Sequence, residues 1–193
     1  MKKISLLSLL FFVFNMATAQ QEISTAYATQ ATNMFAPLDK NRIPHKVLLD
    51  YGFEYTNLKA YNGTLSDSTV VDVPTLKHIY NTIFSSRVTS ATTGFINPNN
   101  FESNWKNRTA GTITVSGLYY KYNAFINDAI NLGKVNFVNN QFQDKFVSGV
   151  WQNPYQEFQA FAMAPAISKY EGLSFTVKIP STIFYSNYQS LVQ

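Results

Sequence analysis

The residues able to do chemistry are few. His45 and His78 are the only two imidazoles, and there is no cysteine. Cysteine nucleophiles, thiolate metal sites and disulfides are therefore excluded. Serine catalysis needs a nucleophile beside a base. No G-x-S-x-G elbow exists, since Val115-Ser116-Gly117 and Val147-Ser148-Gly149 lack its flanks. The two histidines share no metal-ligand spacing. Asp39-Lys40-Asn41 resembles the opening of a calcium loop, but the glycine and the closing glutamate are missing. Glycoside hydrolysis needs two carboxylates across a cleft. Asp50 and Glu54 would share a face if their segment were helical, and they read as solvated acids. Trp105, Trp151 and Tyr155 stand among Asn and Gln in segments that read as loops. Flat rings beside amides form a candidate saccharide platform, although large aromatics serve more often as packing residues. No Gly-rich phosphate cradle precedes a helix, and no cofactor motif is present.

The N-terminus carries an export signal. Lys2 and Lys3 precede the uncharged run Ile4 to Phe14, and Ala17-Thr18-Ala19 supplies the small residues a signal peptidase requires. Cleavage is expected between Ala19 and Gln20. An apolar run of about eleven residues falls short of the roughly 20 that span a bilayer, so no anchor is expected after cleavage. Without a cysteine the mature end cannot be lipidated. The chain's 15 Lys and Arg include Lys2 and Lys3, which leaves 13 basic against 11 acidic residues after cleavage. No basic stripe is present, which excludes a nucleic-acid interface. Charged residues make up only 13% and aromatics 16%, so neutral polar groups and tyrosines cover the surface and apolar area is ample for a core.

The elements that must position these residues divide the mature chain. Residues 20–108 read as helix and loop. Ala26 to Phe35 predicts a short helix stopped by Pro37, and Val47 to Phe53 is ambiguous between a strand and a helical turn. The clearest helix runs from Pro74 to Ser86. Asp72 caps it, and Leu76, Ile79, Tyr80, Ile83 and Phe84 form one stripe, with His78 on the opposite side. Phe101 to Arg108 adds a helical turn around Trp105. Residues 109–193 read as strands: Thr112 to Tyr122, a hairpin from Val135 to Val147 turning at Asn139-Asn140, Glu157 to Met163, Gly172 to Ile179, and Ile183 to Tyr185. The two regions are compatible with a single domain. The abrupt stop in a β-type segment, Tyr188 to Gln193, gives the expectation that the chain is part of a longer protein.

Several stretches carry a resemblance. Met34-Phe35-Ala36-Pro37-Leu38-Asp39-Lys40, Leu48 to Phe53, Tyr61-Asn62-Gly63-Thr64, Ile79-Tyr80-Asn81-Thr82, Phe161 to Pro165 and Phe175 to Asn187 resemble the N-terminal region of large uncharacterised exported proteins of Bacteroidota. Some of those proteins carry a lipase-like α/β-hydrolase region and a type IX sorting domain further on. The resemblance implies that any catalytic residues would lie beyond Gln193, so none is assigned here. Asp67-Ser68-Thr69 resembles the short O-glycosylation acceptor of such exported proteins, which marks Ser68. Asn62-Gly63-Thr64 and Asn107-Arg108-Thr109 match the N-glycosylation pattern.

The fold class expected is α+β, with short N-terminal helices packed against an antiparallel β-sheet or sandwich-like C-terminal region. The function expected is that of an exported, non-catalytic module for positioning or binding. Its partners would be downstream domains of the same protein or a saccharide, and its place the periplasm or the cell exterior. A secreted hydrolase of glycans or lipids, and a carbohydrate-binding module, are the alternatives.

Overall fold

A run of β-branched and aromatic residues, Thr112–Phe125, forms the central strand β1 of the computed structural model. The structure describes residues 29–88, 91–105, 110–167 and 169–188. Ala19 and Gln20, the sequon at Asn107 and residues 189–193 of the C-terminal segment lie outside them.

One edge of β1 pairs antiparallel with β6 (Tyr155–Pro165), from Val115 opposite Pro165 to Phe125 opposite Tyr155. The other edge is covered piecewise. β7 (Thr176–Lys178) pairs parallel with Thr112 to Thr114, and β8 (Phe184–Ser186) pairs parallel with Gly117 to Tyr119. The Asn187 amide then takes the place of a strand, accepting from the Lys121 N–H at 2.9 Å and donating to its carbonyl at 2.8 Å. Finally the Asn123 N–H donates to the Val47 carbonyl at 2.9 Å. With both edges satisfied, Ser116 to Tyr120 are buried on both faces.

The fold is α+β, and its sheet is mixed rather than wholly antiparallel. A three-residue strand carries no sequence signal for the direction of its partner, and β7 and β8 reach the free edge of β1 only after the chain leaves β6. The stretch Gly172 to Ile179 is a strand only over Thr176–Lys178. The expected hairpin is two. β2 (Val135–Val138) and β3 (Gln141–Asp144) are joined by Asn139 and Asn140 at φ 52° and 59°, as a tight primed turn requires. β4 (Phe146–Val147) and β5 (Val150–Trp151) are joined by Ser148 and Gly149 at φ 50° and 79°.

The helical part follows its sequence signals. Residues 29–35 are helical. Helix α1 spans Val73–Ser85, with the Asp72 carboxylate accepting from the Thr75 N–H at 2.8 Å and Pro74 in the first turn. Its buried stripe is Leu76, Tyr80 and Ile83. Helix α2, Pro98–Ser103, stacks Phe101 on Tyr80 with ring centroids 4.3 Å apart. Val47 to Phe53 resolves as extended chain at Val47 and Leu48, which bridge Arg87 and Asn123, followed by a single 3-10 turn at Leu49–Tyr51.

Side chains from both halves share the larger core. Val47, Leu76, Tyr80 and Ile83 meet Leu118, Tyr120, Ala160, Ala162 and Tyr185. A smaller core gathers Ala31, Phe35, Leu38, Ile43, Leu48, Val88 and Tyr155. Among the described residues, no helix is long and apolar enough to cross a membrane.

Candidate functional site

The three proposed platform rings do not converge on one surface. Trp105 is 2% exposed and edge-on to Phe101 in the larger core. Tyr155 is 5% exposed in the smaller core. Trp151 packs beside Tyr155 at 6.0 Å, its indole N–H donates to Asp144 Oδ1 at 2.8 Å, and the Arg42 guanidinium lies 5.6 Å from its ring. The reason is energetic: an aromatic ring removes a large apolar area from water when it is buried. Ser68 is exposed in the 3-10 turn Asp67–Thr69, its hydroxyl 2.8 Å from that of Ser66. His78 is exposed on α1. Asp39 caps the turn Lys40–Arg42 and pairs with Arg42 at 3.3 Å. Among the described residues, no group of three or more His, Asp or Glu could hold a metal.

His45 enters a cluster that its sequence surroundings do not announce. Its Nε2 lies 2.7 Å from Glu157 Oε2, and Lys121 Nζ donates to Glu157 Oε1 at 3.0 Å. Lys121 also sits 4.5 Å over the ring of Tyr188. Burial alone would raise the Glu157 carboxyl, but the bonds from Lys121 and His45 outweigh it and hold it below its ordinary value. His45 and Lys46 have φ of 52° and 57°, a costly pair of left-handed residues. They are held there by the buried Asn123 amide, which donates to the carbonyls of Pro44 at 2.6 Å and Val47 at 3.0 Å. Glu157 is shared between His45 and Lys121, and no serine or threonine hydroxyl bonds to His45 among the described residues. The arrangement fastens the loop at Pro44–Lys46 to β1 and β6.

A different region has the form of a binding site. A cleft of about 800 Å³ opens between residues 30–35, residues 49–54, the turn at residues 126–131 and Phe142 of β3. Its base is aromatic. Phe35 stacks on Phe125 at 5.6 Å and on Phe142 at 5.3 Å, and Phe125 and Phe142 lie 4.8 Å apart. Leu49, Met34, Phe53, Ala129 and Ile130 extend the apolar walls.

Three carboxylates, Asp50, Glu54 and Asp128, line this cleft, and all three residues are exposed to solvent within it. Asp50 is the middle residue of the 3-10 turn Leu49–Tyr51, and its Oδ2 accepts from the Phe125 N–H, 2.9 Å away at the end of β1. The protein mass around the cleft desolvates the Asp50 carboxyl and pushes it above its ordinary value, against the pull of backbone bonds from Phe125 and Asp50 itself. Asp128 has φ 59°, a conformation Asp tolerates better than most residues. Asp50 and Glu54 are thus brought to one cleft by a short turn and extended chain, not by a shared helical face. The signal for Asp128 was present in the pair Asn127-Asp128, whose side chains favour tight turns.

No known protein family, curated protein or solved structure matches this chain.

Proposed function

We propose that the chain is an exported, non-catalytic binding module that holds a small, mainly apolar ligand in this cleft. The observation carrying the reading is the cleft itself. Its volume of about 800 Å³ lies in the range of small-molecule sites, and it combines apolar walls with a few polar groups at fixed positions. Export is supported by the order of Lys2-Lys3, the apolar run and Ala17-Thr18-Ala19. The resemblance to exported proteins of Bacteroidota points the same way. Hydrolysis is the weaker reading. The base of the cleft is three phenyl rings, Phe35, Phe125 and Phe142, which offer no hydrogen bonds to a sugar's hydroxyl groups.

The test is a titration with N-phenylnaphthylamine, a neutral fluorophore that brightens in apolar sites, against the wild type and Met34→Trp, which fills the cleft. Saturable brightening that weakens at least ~10-fold in the variant supports the reading. No saturable signal, or an unchanged one in Met34→Trp, overturns it. Export is tested by the mass of the protein recovered outside the cytoplasm, which should begin at Gln20.

A further inference from the structure

We propose that the cleft is selective for organic cations: an amine whose apolar body rests on Phe35, Phe125 and Phe142 and whose ammonium meets Asp50, Glu54 and Asp128. The inference rests on the binding reading above and adds the charge of the ligand.

Charge complementarity carries it. The chain has 11 acidic residues and 15 Lys and Arg, a net excess of cations. Three of the acids line this one cleft and, among the described residues, no Lys, Arg or His does. That distribution is the reverse of what the composition alone would place there. Among the described residues, these carboxylates are not consumed by ion pairs with neighbours, unlike Glu157, which is shared between His45 and Lys121, or Asp39, which pairs with Arg42. Asp50 is further fixed in orientation by the Phe125 N–H at 2.9 Å. A charge held in place loses little freedom when its partner arrives, and like-charged ligands are rejected by the same field. The apolar base helps rather than hinders. Aromatic faces attract cations, which adds to the pull of the solvent-exposed carboxylates on an ammonium. An apolar anion of the same shape meets the same walls and is repelled at the rim.

The experiment uses three compounds of one shape, phenylbutylamine, phenylbutanol and phenylbutyrate, as competitors of bound N-phenylnaphthylamine and directly by calorimetry. The amine should displace the fluorophore at least ~10-fold more effectively than the alcohol, and the carboxylate should be the weakest. The advantage of the amine should shrink as salt is raised. It should also fall to within ~3-fold of the alcohol in the triple variant Asp50→Asn, Glu54→Gln, Asp128→Asn, whose Asn at the last of these positions tolerates the left-handed backbone. Glu171→Gln, an exposed carboxylate paired with Lys169, should leave the advantage intact. Equal displacement by all three compounds, or an amine advantage that survives the triple variant, overturns the charge selectivity while leaving the cleft reading in place. Failure of the fluorophore and of all three compounds to bind removes the cleft reading itself, and the selectivity with it.

Discussion

Removing one hydroxyl at the centre of the larger core should loosen the loop that closes over it. Tyr80 is fully buried, and its hydroxyl donates to the Ile96 carbonyl and accepts from the Ile96 N–H, each at 2.7 Å. The Tyr120 hydroxyl donates to the carbonyl of Gly94 in the same loop. Tyr80→Phe keeps the ring packing on Phe101 and deletes both bonds. A net hydrogen bond is worth about 1 kcal/mol, and Ile96 is only half-buried, so the loss should be about 2 kcal/mol. For a chain of this size that lowers the thermal midpoint by about 4–8 °C. Tyr120→Phe deletes one bond and should cost about 1 kcal/mol. The two losses should not add, because the loop is released only once; a coupling of about 0.5 kcal/mol or more is expected in the double variant. Burial pushes the Tyr80 phenol up to about 12. Its contribution to stability is therefore complete below the ordinary tyrosine value of about 10 and is lost as pH rises through about 12. Urea and thermal unfolding of the four proteins provide the measurement. A Tyr80→Phe midpoint within about 1 °C of wild type, or strict additivity, would refute the clasp.

Three further outcomes follow from the same geometry. Gly94→Ala should destabilise by about 3 kcal/mol or more in urea unfolding, because Gly94 has φ 77° and an added Cβ would lie 1.7 Å from the Ser186 carbonyl oxygen. Asn140→Gly should raise the urea midpoint with an unchanged slope, by about 0.5 kcal/mol, since φ 59° in a primed turn suits glycine better than asparagine. Asp50→Asn should be at least as stable as wild type at neutral pH, because the amide oxygen still accepts from Phe125 and no desolvated charge remains. The Asp50 carboxyl is raised in the folded state, so the wild type gains stability as pH falls below that value and the difference closes at acid pH; a variant markedly weaker at pH 7 would contradict this.

The chain declares its helix α1 and its long strands, and conceals its edges. Asp72, Pro74 and the spacing of Leu76, Tyr80 and Ile83 are local signals that agree with the packing they produce. β1 and β6 are long enough for alternation to show, with Ala160, Ala162 and Ala164 buried on one face. β7 and β8 are three residues each, and their parallel partners are set by which edge of β1 remains open. The site was hidden for a related reason. Asp50 and Glu54 read as solvated acids in the sequence, and their common cleft depends on a 3-10 turn and on Asp128, more than seventy positions along the chain. Trp105 reads in the sequence as a ring among amides, whereas its apolar area places it inward against Phe101.

The most direct test of the central reading is where a bound amine perturbs the protein. In a titration of isotope-labelled protein with phenylbutylamine, the amide shifts that saturate should cluster at residues 49–54 and 125–131, around Asp50, Glu54 and Asp128. Saturating shifts confined elsewhere, such as around Tyr188 and Lys121, would place binding outside the cleft and contradict the account.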